Sequence, residues 1–294
     1  INQIRKNGIH ILIDLSGHSA KNRLPIFINK PAPVQATWTG YLASTGIPEI
    51  DYIIGDPYVT PPENKNYFIE KILCLPNIWN CFSIPEFEVK ISSLPAVKNG
   101  YITFGCFNNL RKINSKVIFL WSKILHEIPK SKIYLKNKGL DNDFTKKIVI
   151  KKFKKNGINP DSIILEGASS RIELLDTYNK IDIVLDPFPY SGGTTSFEST
   201  WMSTPTLTKK GSQFISRCAE SINHNLGMSD WIANDDNDYV LKAINFSKNL
   251  EQLSKIKKNL REKALKSPLF DSVLFADQFE EALWKMWNNF IQKK

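Results

Sequence analysis

No stretch of about 18 apolar residues occurs in the 294-residue chain, so no bilayer-spanning helix is expected. The early run Ile9–Leu15 is far too short and is broken by His10 and Asp14. A basic-then-apolar leader and an initiator Met are both missing. A chain that opens on Ile1, already close to a strand, reads as a piece cut from something longer. Cysteine and histidine are sparse. Cys74, Cys81, Cys106 and Cys218 include no C-x-x-C pair, and the four histidines are scattered, so no zinc spacing emerges. Reduced thiols in a cytoplasmic protein are the simplest reading. Arginine is scarcest of all for a basic chain: it stands only at 5, 23, 111, 171, 217 and 261, which leaves 33 of the 39 basic residues as Lys. Readers of base edges and phosphate forks favour Arg. The net charge of +10 therefore reads as compositional drift toward Lys, Asn and Ile, with no nucleic acid or membrane expected as a partner. The basic runs Lys146–Lys155 and Lys255–Lys266 fall on helical patterns and read as solvated faces. A general positive field still suits an anionic donor or acceptor.

With 42% hydrophobic and 11% aromatic residues, the chain has ample material for a packed core. Short apolar strands alternate with helical patterns, which predicts parallel sheets built from βαβ units. In the first part Ile9–Leu15, Val34–Trp38, Tyr52–Ile54 and Lys71–Leu75 read as strands, with room for a short helix in Asn22–Asn29. Ile84–Gly100, with Pro85 and Pro95 and no period, reads as a connection. A second alternation begins with a strand at Ile102–Phe107. The next helix shows one apolar face in Val117, Leu120, Trp121, Ile124, Leu125 and Ile128, and Pro129 stops it. Strands at Lys132–Leu135, Ser162–Leu165, Ile181–Leu185 and Thr204–Thr208 follow, separated by helices at Asp141–Lys155, Arg171–Lys180 and Thr194–Met202. The end is helical and rich in aromatics (Phe279, Trp284, Trp287, Phe290), and no repeat of 20–50 residues is present. Two open α/β domains with a cleft between them fit this layout.

The chemistry concentrates in Asp186-Pro-Phe-Pro-Tyr-Ser-Gly-Gly-Thr-Thr-Ser-Phe-Glu198. An apolar strand ends in a proline-stiffened turn, Gly192 and Gly193 follow, and a helix opens on Thr194 and Thr195. Glycines let backbone approach a ligand closely, and a helix start presents unpaired N–H groups and the positive dipole end. Two hydroxyls there add hydrogen bonds to a diphosphate, and Glu198, one turn on, suits ribose hydroxyls. The turn has neither G-x-G-x-x-G nor a P-loop Lys, so dinucleotide dehydrogenases and P-loop NTPases lose support. Gly-Gly-Thr-Thr alone also fits an ordinary capped strand–turn–helix. A second element, Phe104-Gly-Cys-Phe-Asn-Asn-Leu-Arg-Lys112, ends the first strand of the second half. Asn108 and Asn109 suit a tight turn, and Lys112, which alone also fits an ordinary surface Lys after a strand, stands where a cation can reach a diphosphate held by the other turn.

Together these elements resemble the protein O-GlcNAc transferase family, including its bacterial and SPINDLY-type plant relatives. Further motifs carry the resemblance across almost the whole chain: Gly8-Ile-His-Ile-Leu-Ile-Asp-Leu-Ser-Gly17, Lys30-Pro-Ala-Pro-Val-Gln-Ala-Thr-Trp-Thr-Gly-Tyr41, Ser44-Thr-Gly46, Asp51-Tyr-Ile-Ile-Gly-Asp56 and Lys266-Ser-Pro-Leu-Phe-Asp271. It implies a GT-B fold of two Rossmann-like lobes, the first incomplete. Residues 1–90 would be the remainder of the N-terminal lobe, 91–270 the nucleotide-sugar lobe and 271–294 a C-terminal helix. It also implies a UDP-sugar donor, a protein or peptide acceptor, inversion at the transferred carbon, and no cofactor or required metal. Lys112 matches the family's essential Lys, which neutralises the leaving diphosphate. Thr194 and Thr195 match its phosphate-contacting threonines, and Glu198 its ribose-binding acid. Asn109 occupies a position where Gln is common, Arg171 lies in the segment approaching the base, and Gly40 and Tyr41 match the loop on the sugar and acceptor side.

This chain departs from the family pattern in places. Leu42-Ala43 stands where animal enzymes carry Pro-Gly, and Gly193 where they carry His. The earlier Gly/His-rich motif is missing, as are the helical tetratricopeptide repeats expected upstream in the full-length chain. His10, alternating with Ile9 and Ile11, reads as a structural residue on a buried strand. His18, after Ser16-Gly17, lies at a strand end facing the cleft and is a candidate for a substrate role. His126 and His224 read as surface or packing residues, and no general base is identified. The expected reaction is transfer of N-acetylglucosamine from UDP to a protein Ser or Thr. The alternatives are fucose from GDP, glucose to Asn, or a non-catalytic nucleotide-sugar-binding module.

Overall fold

The computed structural model describes residues 1–292. Its first sheet has four parallel strands, β1 (Ile11–Asp14), β2 (Val34–Thr37), β3 (Tyr52–Gly55) and β4 (Lys71–Cys74), hydrogen-bonded in that order. Two short helices, α1 (Asn2–Lys6) and α2 (Leu24–Ile28), accompany it. The connection at Ile84–Gly100 includes one short helix, α3 (Pro95–Asn99), ended by Gly100 at φ +73°. Glycine takes this left-handed conformation without a Cβ penalty.

The second sheet contains β5 (Thr103–Cys106), β6 (Lys132–Lys136), β7 (Ile163–Glu166), β8 (Ile183–Leu185), β9 (Thr206–Lys209) and β10 (Ile232–Ala233). All are parallel, in the order β10-β9-β8-β5-β6-β7. The helices are α4 (Ser115–Glu127), α5 (Asp143–Lys155), α6 (Arg171–Thr177), α7 (Thr194–Trp201), α8 (Cys218–Asn225), α9 (Asp236–Lys248), α10 (Leu250–Leu265) and α11 (Ser272–Ile291). Strand order reverses between β8 and β5, and in open α/β sheets ligands enter the crevice at such a point, beyond the carboxyl ends of the strands.

Local sequence explains these elements. Asn114 caps α4 by accepting from Val117 N, and Val117, Leu120, Trp121, Ile124 and Leu125 are all buried, as their helical spacing predicts. Trp121 is fully buried and donates its indole N–H to Tyr239 Oη at 3.2 Å. Ser170 forms a capping box with Glu173 at the start of α6. That helix ends at Thr177 and tightens into a 3₁₀ turn at Tyr178–Lys180. The aromatic C-terminal helix α11 returns to the first sheet, where Ala282 and Met286 pack with Val34, Ala36, Tyr52, Ile54, Leu73 and Leu75. The last two residues of the expected 271–294 helix lie outside the described residues.

His10 corrects one expectation. It is exposed at a bend just before β1, edge-on to Trp287 at 4.7 Å between ring centroids. Alternation with Ile9 and Ile11 overstated the strand, because Ile9 itself is exposed and pairing begins only at Ile11.

Candidate functional site

The turn after β8 and the start of α7 form one side of the β8/β5 crevice. Buried Asp186 fixes the turn: its carboxylate accepts from Gly192 N at 2.7 Å and from Thr208 Oγ1 at 2.7 Å. Tyr239 Oη donates to the Asp186 carbonyl at 3.0 Å. The Phe188–Pro189 peptide between them is cis. A Cβ on Gly192 would lie 2.6 Å from Thr195 Oγ1, 2.6 Å from Ser196 Oγ and 3.0 Å from Asp186 Oδ1, so the close approach requires glycine. Gly193 is the N-cap of α7 with open space where a Cβ would point. Thr194 is exposed and Thr195 half-buried at the helix start.

Lys112 reaches this turn from the β5 side. Its ammonium donates to the Ser191 carbonyl at 2.8 Å and to Asn108 Oδ1 at 3.0 Å, and sits 3.9 Å over the Tyr190 ring. Thr195 Oγ1 donates to the same Asn108 oxygen at 3.0 Å. Buried Asn108 therefore ties Lys112 to the first turn of α7. Sequence reasoning saw Asn108 only as a turn residue, and the adjacent Asn pair carried no mark of which one turned inward. Asn109 is the exposed one, and its side chain caps its own 3₁₀ turn by accepting from Arg111 N. Burial pushes the Lys112 ammonium below the usual lysine range, opposed by the nearby Asp186 carboxylate. A half-desolvated cation beside free helix N–H groups is an anion-binding arrangement.

Glu198 is buried one turn further along α7 and paired with the Arg171 guanidinium, which is 42% exposed at the start of α6. Tyr178 Oη also donates to Glu198, at 3.3 Å. Burial raises the Glu198 carboxyl above its ordinary value, and Arg171 acts the other way. Arg171 is thus the exposed outer half of a pair whose inner half is buried, and any ligand hydroxyl reaching Glu198 must share it.

The first-lobe candidates form a separate group. A Cβ on Gly40 would lie 1.7 Å from the Leu15 carbonyl oxygen, and one on Gly17 (φ +48°) 2.2 Å from Tyr41 Cβ. These contacts clamp the loops after β1 and β2 together. His18 is exposed, edge-on to Tyr41 at 5.3 Å, and its Nε2 lies 2.7 Å from the Thr45 carbonyl oxygen. A carbonyl only accepts, so Nε2 carries the proton and Nδ1 is left as the acceptor nitrogen of the neutral ring. Glu70 anchors that loop, accepting from Ser44 Oγ at 2.7 Å and Thr45 N at 2.6 Å. Among the described residues no hydrogen bond joins this group to Lys112.

Two further observations bear on chemistry. Among the described residues no cluster of three or more His, Cys, Asp or Glu side chains is arranged to hold a metal ion. A cavity of about 800 Å³ borders β4, lined by Phe68, Ile69 and Ile72 among others, but it contains neither the glycine turn nor the start of α7. Chemistry, more than volume, places the candidate site at Gly192.

The buried carboxylates make a pH prediction. Burial pushes Asp186 and Asp182 each up to about 6 from 3.8. Asp182 accepts from Ala96 N and Thr103 N, each at 2.8 Å. A folded-state value above the unfolded one means the folded protein holds the proton more tightly. The stabilisation is fully present below about pH 4 and is lost as pH rises through about 6, about 3 kcal/mol per group. Denaturant melts from pH 4.5 to 7 should show this slope, and Asp182→Asn should flatten it; an unchanged slope would remove Asp182 from the account.

Known proteins resemble the whole chain. The profile of glycosyl transferase family 41 matches residues 1–86 and 89–279. A tomato (Solanum lycopersicum) protein described as a probable UDP-N-acetylglucosamine–peptide N-acetylglucosaminyltransferase SPINDLY is 34% identical over 288 residues. That match covers 98% of this chain and 31% of the tomato protein, so the chain spans about a third of this relative's length. A solved structure of a mutant Thermobaculum terrenum O-GlcNAc transferase superposes with a TM-score of 0.95 at 31% identity, over 99% of this chain and 55% of that one. Anabaena Alr3699/HepE, solved with UDP, shares the fold at a TM-score of 0.62 and 12% identity, over 97% of this chain and 81% of its own. The two parallel sheets are accordingly the two Rossmann-like lobes of the GT-B fold. With the family profile matched over nearly all its length, the chain belongs to glycosyl transferase family 41.

Proposed function

We propose that this chain carries the donor-binding and catalytic core of an inverting glycosyltransferase that moves N-acetylglucosamine from UDP to a Ser or Thr hydroxyl of a protein. The observation that carries the reading is Lys112 held against the glycine turn and the first turn of α7 by Asn108. The tomato relative is described as acting with UDP-N-acetylglucosamine on peptide and the T. terrenum protein as an O-GlcNAc transferase, which supports the donor and acceptor classes.

In this reading the acceptor oxygen attacks the anomeric carbon as its bond to the diphosphate breaks. Negative charge grows on the departing phosphate. Lys112 and the backbone N–H groups opening α7 receive that charge without reorganising, which is the largest kind of catalytic term. The hydroxyls of Thr194 and Thr195 hold the diphosphate, so charge is stabilised with no metal required. Glu198 accepts from the ribose, and Arg171 shifts with it toward the base. His18, Gly40 and Tyr41 shape the sugar and acceptor side. The proton lost by the acceptor passes to solvent or to a phosphate oxygen of the departing diphosphate. No described helix is long and apolar enough to cross a membrane.

Calorimetry with UDP, GDP and their sugar conjugates tests the donor. A uridine preference is expected. Equal affinity for both bases would sink the UDP assignment, and no binding at all would sink the functional reading.

A further inference from the structure

The turn that holds Lys112 is itself held by the junction between the two lobes. Ser191, whose carbonyl accepts from Lys112, sends two bonds to one oxygen: its N and its Oγ each donate to the Ile215 carbonyl at 3.1 Å. Ile215 sits in a 3₁₀ turn, Phe214–Ser216, that runs through Arg217 into α8. Ala219 N, in the first turn of α8, approaches Ser191 Oγ at 3.5 Å. The other side of α8 is bonded to the first lobe. Ser221 Oγ donates to Asp56 Oδ2 at 2.6 Å, and Asn225 Nδ2 donates to the Asn77 carbonyl at 3.0 Å. The Tyr58 ring stacks on His224 at 4.3 Å, 13° from parallel. Just before α8, Asn64 Nδ2 donates to the Ser212 carbonyl at 2.8 Å.

Asp56 is the pivot of this junction. It follows β3, is fully buried, and accepts from Tyr58 N at 2.7 Å, Val59 N at 2.8 Å and Trp79 N at 2.9 Å besides Ser221. All four donors are neutral, and three are backbone groups of the first lobe. Only the Ser221 hydroxyl comes from the second lobe. A buried acceptor that loses a donor pays its desolvation cost, so the Ser221–Asp56 bond fixes the register of α8 firmly.

We propose that Ser221 is a positioning residue for Lys112. Its bond to Asp56 sets α8 against the first lobe, α8 sets the Ile215 carbonyl, and that carbonyl holds Ser191 and with it the Lys112 ammonium. The docking of one lobe on the other is thereby transmitted to the cation of the donor site. This inference rests on the catalytic role proposed for Lys112, but its geometry is testable without turnover.

The test is Ser221→Ala in the full chain, with two readouts. Labelling of Lys112 by an amine-acylating reagent, quantified by peptide mass spectrometry against exposed Lys147, should rise about threefold as the ammonium loosens and its environment changes. In the transfer assay kcat should fall about tenfold with nucleotide Kd within a factor of about two, since misplacing a charge costs more in the transition state than in binding. Asn225→Ala, which cuts the junction at the other end of α8, should move both readouts the same way and serves if Ser221→Ala does not fold. A folded variant with wild-type Lys112 labelling overturns the proposal. So does a parallel loss of kcat, Kd and melting temperature, which would mark a purely structural residue. Absence of transfer in the wild-type protein with any nucleotide sugar would count against the functional reading alone, because the labelling arm would still report on the junction.

Discussion

Lys112→Ala is expected to lower transfer by at least about two orders of magnitude, the equivalent of roughly 3 kcal/mol or more of barrier. The size follows from where the charge sits. The ammonium is half-buried, so solvent screens it little, and it is aimed at the turn by the Ser191 carbonyl and by Asn108. In the absence of donor these two neutral oxygens are poor substitutes for water. A diphosphate entering at Gly192–Thr195 would supply an anionic partner in direct contact with the ammonium, whose hydrogen bonds now go to neutral oxygens. Removing the side chain deletes a stabiliser whose effect grows as the leaving group becomes more negative, so kcat should fall further than donor affinity. Single-turnover rates and nucleotide calorimetry separate the two. Unchanged turnover would take Lys112 out of the mechanism, and equal losses in binding and rate would make it a ground-state ligand only.

Much of this was legible in the sequence, for reasons tied to particular residues. The face of α4 was readable because Val117, Leu120, Trp121, Ile124 and Leu125 share one helical period and all face the core. The strand–turn–helix at Asp186–Glu198 was readable because an apolar strand, a proline-stiffened turn and two glycines precede a helix start, and β8 and α7 lie on either side of that turn. The site's internal wiring was not readable. Asn108 and Asn109 are chemically identical neighbours, and only the tertiary fold turns one inward to bridge Lys112 and Thr195 while leaving the other in solvent. Arg171 and Glu198 are 27 positions apart, and nothing local says that they pair. Asp56 was visible only as the end of a motif, because its second-lobe donor, Ser221, lies 165 residues away. His10 shows the opposite failure, in which a local alternation extended a strand past its pairing partner.

Gly192→Ala is expected to abolish measurable donor binding under conditions where Gly193→Ala leaves it nearly intact. The two glycines are adjacent and equal in composition, yet their surroundings differ. At Gly193 a methyl group meets nothing within 4 Å. At Gly192 it would press on Thr195 Oγ1 and Ser196 Oγ at 2.6 Å, and on Asp186 Oδ1 at 3.0 Å. None of these can yield without loss. Ser196 Oγ donates to the Gly192 carbonyl at 3.2 Å, Thr195 Oγ1 holds Asn108, and Asp186 is buried and holds Gly192 N itself. Relief by moving the turn shifts the start of α7 away from Lys112; relief by rotating Thr195 removes a phosphate hydroxyl and unties Asn108. Overpacking of this kind costs about 1–3 kcal/mol in stability. The loss in donor affinity should reach the upper end of that range, about a hundredfold, because misplacement acts on every phosphate contact together. Calorimetry on the folded variants measures it. Equal tolerance at both positions would mean that the diphosphate does not lie on this turn.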